Sequence, residues 1–156
     1  MSFKDSVTQT TKIGYFEGAI PVNYQYTFGI AGDKFFRTIM EKGDFVASKC
    51  PDCGTMAIYP LSYCEQCFAE VTEFVSVGLE GELYSFTECH YDFQGKQHVE
   101  PHIMGLIRFE GVDGGIIHRV QAGTGGLKLG MKVKAKLKPA NEREGSVDDI
   151  LYFEKA

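Results

Sequence analysis

Four of the five cysteines of this 156-residue chain lie within a stretch of eighteen residues. They form two C-x2-C pairs, Cys50 with Cys53 and Cys64 with Cys67, and ten residues separate the pairs. Each pair can close a tight turn that points both sulfurs at one ion, and two such turns complete a tetrahedron of thiolates. Because four thiolates leave no open coordination position, the spacing predicts a structural zinc site, with iron in the same cage as the chief alternative.

A redox pair is the competing interpretation of Cys50 and Cys53. Thioredoxin-like chemistry needs the first cysteine at the N-terminus of a helix. The residues after Cys53 read Gly-Thr-Met-Ala-Ile-Tyr-Pro, which indicates a turn and a strand, and a second pair would have no role. Gly54 instead suits a metal-binding turn, which often requires the positive φ that glycine adopts without steric cost.

The compartment follows from what the sequence lacks. It has no apolar run near the roughly 18 residues needed to cross a bilayer, and residues 1–6 lack the apolar core of a signal peptide. We therefore expect a cytoplasmic protein without a membrane partner. In that reducing compartment, paired cysteines are more often metal ligands or redox groups than disulfides.

Two different patterns precede the cysteines. Residues 1–30 carry many aromatic side chains without helical spacing and predict an extended arm. Residues 31–44 predict a short amphipathic helix, with Asp33 as its cap, Gly43 as its stop and an apolar face of Phe35, Phe36, Ile39 and Met40. This face either docks on another molecule or packs on the protein itself.

After the cysteines the pattern changes to strands. We expect a zinc ribbon over residues 45–75 and a five-stranded domain over residues 76–156. The strand-like runs are Glu82–Tyr91, His102–Phe109, Ile116–Val120, Met131–Leu137 and Asp149–Phe153. Turn-rich segments separate them, and a Greek-key barrel of the OB-fold type is the most economical architecture. The predicted fold class is thus mainly β, with an N-terminal arm and one helix.

Charge is distributed unevenly along the chain. The net charge is −5, but residues 68–107 carry −6 and residues 108–138 carry +5. This local basic excess fits a small anionic ligand or an acidic patch on a partner better than a nucleic acid, which usually requires a broad basic surface. Alternation predicts one outward face for a lysine ladder, which is either a solvated surface or a phosphate site assisted by neighbouring arginines; the residues are Lys132, Lys134, Lys136, Lys138, Arg108 and Arg119.

The fifth cysteine, Cys89, is a candidate nucleophile or a small half-buried side chain. It cannot pair with the adjacent His90, because successive residues of a strand point to opposite faces. Histidines of other strands, namely His98, His102 and His118, are the remaining candidate partners. No paired acids, serine elbow or metal-binding histidine pair emerges, so the residues favour a binding module over an enzyme.

The order of helix, four-cysteine ribbon and OB-fold resembles the rubredoxin-like zinc-ribbon and OB-fold proteins associated with acyl-CoA thiolases. The stretches that carry the resemblance are Gly81-Glu-Leu-Tyr-Ser-Phe-Thr, Glu100-Pro-His-Ile-Met-Gly, Leu127-Lys-Leu-Gly-Met-Lys-Val and Ile150-Leu-Tyr-Phe. The match covers roughly residues 30 to 154. This chain departs from the family after the first cysteine pair, where Ile-Tyr-Pro-Leu-Ser replaces the usual proline-and-arginine run, and in its longer N-terminal arm.

The resemblance implies a non-catalytic accessory subunit that assembles with a thiolase-fold partner and helps to hold acyl-CoA. The partner would supply the nucleophilic cysteine, so no catalytic residue is expected here. The resemblance assigns Cys50, Cys53, Cys64 and Cys67 to the metal, while charge makes Arg119, Lys128 and Lys132 candidates for the phosphates of coenzyme A. A bulky or aromatic acyl-CoA such as benzoylsuccinyl-CoA is one substrate that the long arm would suit.

Two alternatives from other classes stay open at this point. Zinc ribbons and OB-folds also bind single-stranded nucleic acid, and Cys89 could serve a stand-alone enzyme. If the chain is an accessory subunit, the apolar residues between the cysteine pairs are a candidate docking surface, formed by Met56, Ile58, Tyr59, Leu61 and Tyr63.

Overall fold

The structure is a computed structural model that describes residue 11 and residues 26–92, 94–122 and 126–156. Most of the predicted arm over residues 1–30 therefore lies outside the described residues, as do residues 123–125, which belong to one of the turn-rich segments between the predicted strands. None of the described helices is both long and apolar enough to span a bilayer.

The one α-helix among the described residues, α1, spans Gly29–Lys42 and ends where the sequence predicts. Gly43 follows it with φ +66°, and its backbone N–H bonds to the carbonyls of Thr38 and Ile39. The predicted beginning is wrong, because Asp33 lies inside the helix and accepts a hydrogen bond from Arg37 Nε at 2.7 Å. The residue at the N-cap position, Phe28, has no side chain that can cap the helix, and Thr27 Oγ1 accepts a hydrogen bond from the Gly29 N–H.

The ribbon is built on a small sheet of three antiparallel strands, β1 (Val46–Lys49), β2 (Met56–Ile58) and β3 (Glu73–Ser76). A fourth strand, β6 (Asp113–Gly114), pairs in parallel with β2, so the order is β3-β1-β2-β6. Since β6 comes from the turn-rich segment of the second domain, this pairing joins the ribbon to the barrel.

The barrel sheet has five antiparallel strands in the order β7-β5-β4-β8-β9. They are β4 (Glu80–Tyr91), β5 (Gln97–Arg108), β7 (Ile116–Arg119), β8 (Lys132–Leu137) and β9 (Ile150–Lys155). The edges β7 and β9 meet through a bridge between Val120 and Phe153, and the Gln121 N–H bonds to the Phe153 carbonyl at 2.8 Å. Each of the five predicted strands is present, which confirms the mainly β fold.

Helix, ribbon base and barrel share one hydrophobic core. Phe45, fully buried just before β1, stands at its centre, with ring-centroid distances of 5.9 Å to Phe35 of α1, 5.8 Å to Phe109 and 6.3 Å to Phe153 of β9. The apolar face of α1 thus packs on the protein itself rather than on another molecule.

Candidate metal centre and barrel surface

The two cysteine pairs form equivalent turns, here called the first knuckle (residues 50–54) and the second knuckle (residues 64–68). In the first, the Gly54 N–H donates to the Cys50 carbonyl at 3.1 Å. In the second, the Phe68 N–H donates to the Cys64 carbonyl at 3.0 Å. The backbone therefore brings each pair of sulfurs to the same side of its turn.

The four sulfurs gather into one cluster, with all Sγ atoms within 4.8 Å of one another. Cys50 Sγ lies 3.5 Å from Cys67 Sγ, and Cys53 Sγ lies 3.5 Å from Cys64 Sγ. These distances are too long for a disulfide, in which the sulfurs are about 2.05 Å apart. They approach the roughly 3.8 Å between sulfurs of a tetrahedron with zinc–sulfur bonds of about 2.3 Å. The donor set therefore fits a structural zinc.

The cage sulfurs differ in acidity. Hydrogen bonds from Thr55, then from the sulfurs of Cys64 and Cys50, lower the pKa of Cys53 to about 6. The backbone N–H of Ala69 lowers the pKa of Cys67, but Cys50, burial and the other sulfurs outweigh it and raise that pKa to about 12. Because neighbouring thiolates repel, a bound cation is needed before all four sulfurs can ionise together.

Two family models match the chain over adjoining ranges. Residues 41–73 match the rubredoxin-like zinc-ribbon domain of ChsH2, and residues 74–138 match its C-terminal OB-fold domain. The matched ranges run without a gap over more than half of the chain. This chain belongs to the ChsH2 family of zinc-ribbon and OB-fold proteins.

Solved structures share this ChsH2-type fold. A DUF35-family protein of unknown function from Sulfolobus solfataricus is 26% identical, with a TM-score of 0.66 over 82% of this chain and 87% of that one. A structure described as "Ltp2-ChsH2(DUF35) aldolase" is 16% identical, with a TM-score of 0.60 over 84% of this chain and 98% of that one. No curated protein matches the chain significantly in sequence.

The basic residues of this ChsH2-type barrel lie apart from one another. Arg119 ends β7, Lys132 begins β8, and Lys128 lies in the loop before β8. The strands β7 and β8 are not neighbours, because β9 separates them on one side and β5 with β4 on the other. Lys132, Lys134 and Lys136 face outward as predicted, but Lys138 lies beyond β8 and pairs with the buried Asp149 at 3.7 Å. Lys132 Nζ lies 3.9 Å from Glu82, and Lys134 Nζ lies 3.3 Å from Glu80. Acids of β4 thus balance part of the ladder's charge.

Arg119 lines a surface hollow of about 440 Å³ between β5, β7 and β9. Among the described residues, Arg119 makes no ion pair. The hollow mixes charge with apolar surface, and the side chains around Arg119 are Glu100, Pro101, His102, Ile103, Val120, Gln121, Ala122, Leu151 and Tyr152. It is therefore suited to a ligand that carries both an anionic group and apolar atoms.

Cys89 is half-buried and lies directly opposite His102 in the pairing of β4 with β5. The His102 and His98 rings are 4.6 Å apart between centroids. His118 lies opposite Gly105 and packs on Phe153, so it occupies the other face of the sheet from Cys89. Burial lowers the pKa of His118, whose Nδ1 atom is buried without a hydrogen-bond partner. Of the three histidines proposed from sequence, His102 is thus the cross-strand neighbour of Cys89.

The predicted docking surface between the knuckles is exposed only in part. Ile58 belongs to the core, and the Tyr59 ring packs 5.2 Å from Phe35, although Tyr59 keeps 43% of its surface exposed. Tyr63 is the most exposed of the five, at 62%. Sequence reasoning missed Phe68, which is 81% exposed beside the cage. Its position after the second C-x2-C, equivalent to that of Gly54 after the first, was the signal that could have revealed it.

Proposed function

We propose that this chain is the accessory subunit of a thiolase-type acyl-CoA complex, in which it supports assembly and acyl-CoA binding while the partner carries the catalytic cysteine. The observation that carries the proposal is the unbroken ChsH2 match across ribbon and barrel. The fold shared with the structure described as "Ltp2-ChsH2(DUF35) aldolase" supports it, because that description couples ChsH2 with a second protein, Ltp2, in an enzyme complex.

The metal centre supports a non-catalytic role. In the proposed complex, Cys50, Cys53, Cys64 and Cys67 hold zinc, and four sulfur ligands leave it no position for water or substrate. The zinc would therefore supply folding free energy to a ribbon whose own buried cluster is small, comprising Cys50, Cys64 and Val71.

The hollow beside β7 is the strongest place for this subunit to contact coenzyme A. Among the described residues Arg119 makes no ion pair, although Glu100 lines the same hollow, whereas Lys132 Nζ lies 3.9 Å from Glu82. We therefore rank Arg119 first among the proposed phosphate contacts. Lys128, in the loop before β8, and Lys132, the first residue of β8, are secondary contacts. A guanidinium suits this role because it can bind two phosphate oxygens at once.

Co-expression with a thiolase-fold protein encoded beside this chain tests the proposal. We expect one stable complex in size-exclusion chromatography with light scattering, and thiolysis of an aromatic 3-oxoacyl-CoA such as benzoylsuccinyl-CoA only when both subunits are present. A chain that stays separate and leaves the activity of the thiolase-fold protein unchanged would refute the assignment.

The contact with coenzyme A has its own test in the same complex. Arg119→Ala should raise the KM for CoA about tenfold, the scale of one lost charge-assisted hydrogen bond. It should leave the KM for a phosphate-free pantetheine thioester unchanged. Arg37→Ala is the matched control, since Arg37 is an exposed arginine on α1 that pairs with Asp33. Equal effects on both substrates would place Arg119 outside the phosphate site.

The nucleic-acid alternative finds less support on this surface. Single-strand binding needs a basic groove with stacked aromatic side chains. Here Glu80 and Glu82 accompany the lysine ladder, and the exposed Tyr84 ring is covered by Arg108 at 3.6 Å. A salt-dependent shift of labelled oligonucleotides would nevertheless favour that function over the proposed one.

A further inference from the structure

Phe68 occupies an unfavourable backbone conformation at the tip of the second knuckle. Its φ is +61°, and it is the one non-glycine residue with positive φ in the part of the chain that the structure describes. L-residues with bulky side chains rarely adopt this left-handed conformation. The equivalent position of the first knuckle holds Gly54, with φ +75°, which accepts the conformation without steric cost.

Packing of the Phe68 side chain does not offset the free-energy cost of this backbone conformation. The side chain is 81% exposed, whereas the cluster beneath it is formed by Cys50, Cys64 and Val71 with Ala69 packed against them. Glycine at residue 68 would build the same turn, as Gly54 does. An exposed aromatic side chain held in a strained turn is therefore the kind of outlier that indicates a role outside the fold.

The surroundings of Phe68 are acidic. Between Cys50 and Glu73 the chain has four acidic residues and no lysine or arginine; the acids are Asp52, Glu65, Glu70 and Glu73. Glu73 is paired with Lys49 at 3.4 Å, which leaves Asp52, Glu65 and Glu70 around the knuckles. Tyr63, which is 62% exposed, forms an isolated antiparallel β-bridge with Glu70 across the second knuckle. The tip thus combines two exposed aromatic rings with negative charge.

We infer that Phe68 is an anchor that inserts into an apolar pocket bordered by lysine or arginine side chains on the partner protein. Under the proposed function, on which this inference rests, that partner is the thiolase-fold subunit. An aromatic anchor within a charged rim is a common arrangement at the centre of protein interfaces. The acidic residues around the knuckles, Asp52, Glu65 and Glu70, here called the acidic rim, repel phosphate backbones and anionic lipid surfaces. A basic protein surface is therefore the complementary occupant.

Affinity and stability move in opposite directions if Phe68 serves a partner. Phe68→Gly and Phe68→Asn remove the ring but suit a left-handed backbone. Both should weaken binding to the thiolase-fold subunit roughly tenfold or more in titration calorimetry of the full chain. Both should leave the zinc content unchanged and the Tm of the isolated chain equal or higher. Tyr91→Ala is the matched control, an exposed aromatic residue of β4 outside the ribbon, and should bind as the wild type does.

The rate of association with the thiolase-fold subunit tests whether the acidic rim contributes to binding. Glu65→Gln combined with Glu70→Gln should slow association and reduce its dependence on salt, because charge complementarity acts mainly on the on-rate. Unchanged rates would contradict the charge part of the inference.

The outcomes separate this inference from the proposed function. Wild-type binding that both Phe68 variants retain in full would overturn the anchor and leave the accessory role intact, whereas a wild type that does not bind would remove both. A fall in Tm or zinc content in both variants would show that Phe68 serves the fold instead. Phe68-dependent self-association, or Phe68-dependent binding to anionic vesicles, would name a different occupant and also overturn it.

Discussion

Gly43 leaves the space that Arg143 fills: a Cβ atom built on Gly43 would lie 2.6 Å from Arg143 Nη1. The guanidinium of Arg143 thereby reaches the end of α1, where Nη1 approaches the Ile39 carbonyl at 3.5 Å, while Nε donates to the Lys138 carbonyl at 2.8 Å. A residue that follows the barrel strand β8 thus satisfies a carbonyl at the C-terminus of the helix. Gly43 therefore both ends α1 and leaves room for the contact between the helix and the barrel.

Loss of Arg143 should loosen this contact. Arg143→Ala removes both hydrogen bonds and leaves the half-buried Lys138 carbonyl without its charged donor, so we expect about 1–3 kcal/mol less free energy of unfolding. Urea denaturation monitored by circular dichroism measures the change. Arg37→Ala, on the exposed face of the same helix, should give no measurable change, and equal losses in the two variants would contradict the contact.

The buried carboxylate of Asp149 should make stability depend on pH. Burial alone would raise its pKa, but backbone N–H bonds from Glu144, Gly145 and Ser146, with Lys138 nearby, outweigh burial and lower it. A lowered pKa means that the charged carboxylate stabilises the fold above its unfolded value of about 3.9, and that this contribution is lost as the pH falls through the folded value.

Asp149→Asn should therefore reduce the free energy of unfolding by about 2–3 kcal/mol at pH 7, because the amide group faces several N–H donors. The difference from the wild type should shrink below about pH 4, where the carboxylate of the unfolded wild-type chain begins to protonate, and it should reach its minimum below the lowered pKa of the folded state. Asp148→Asn, the exposed neighbour, should behave as the wild type. A difference that stays constant down to pH 2 would refute the charge argument.

The four-sulfur cage should hold one zinc ion per chain in elemental analysis of protein purified under reducing conditions. Cys64→Ser should lower that content well below one, whereas Cys89→Ser should retain it, since Cys89 lies on β4 outside the cage. Because the ligating sulfurs must lose their protons, zinc affinity should fall as the pH is lowered. Full occupancy by iron would instead select the alternative metal.

Removal of the metal should affect the ribbon before the barrel. The cluster beneath the cage, formed by Cys50, Cys64 and Val71, is separate from the shared core, so chelation should remove amide protection within residues 50–71. The strands β4, β5 and β9 should keep their protection in hydrogen-exchange mass spectrometry. Simultaneous loss in the barrel would show that the zinc stabilises the whole chain.

A methyl group added at Gly105 should destabilise the barrel. A Cβ there would lie 2.6 Å from Leu83 Cδ1 and 2.6 Å from Val120 Cγ2, inside the barrel. Gly105→Ala should therefore lower the free energy of unfolding by about 1–3 kcal/mol through overpacking. Ser85→Ala, on the adjacent strand and exposed, is the control and should stay within about 0.5 kcal/mol of the wild type. A neutral Gly105→Ala would show that the barrel relaxes around the added methyl.

Much of the architecture followed from local patterns. The C-x2-C spacing placed four sulfurs in one cage because each pair forms a turn of its own, which needs no distant contact. Period-2 alternation located the five barrel strands for the same reason, and Gly43 marked the helix end through its own freedom of φ. The start of α1 was harder to place, because no side-chain cap distinguishes the residues before Asp33.

Alternation alone could not reveal irregular pairing. A register shift between Leu83 and Ser85 makes Tyr84 an extra residue in β4, and the faces of later residues are exchanged as a result. Only the pairing with β5 decides this exchange. It is also what brings Cys89 opposite His102 and leaves His118 on the other face.

The sequence by itself determined the two cysteine turns, the strand-forming segments and the outward face of Lys132, Lys134 and Lys136, because these depend on spacing within a few residues. The tertiary structure alone decided that Arg119 and Lys132 lie on non-adjacent strands and that Glu82 lies beside Lys132. Those relationships depend on strand order, register and burial, which arise when distant segments pack together and which no local pattern encodes.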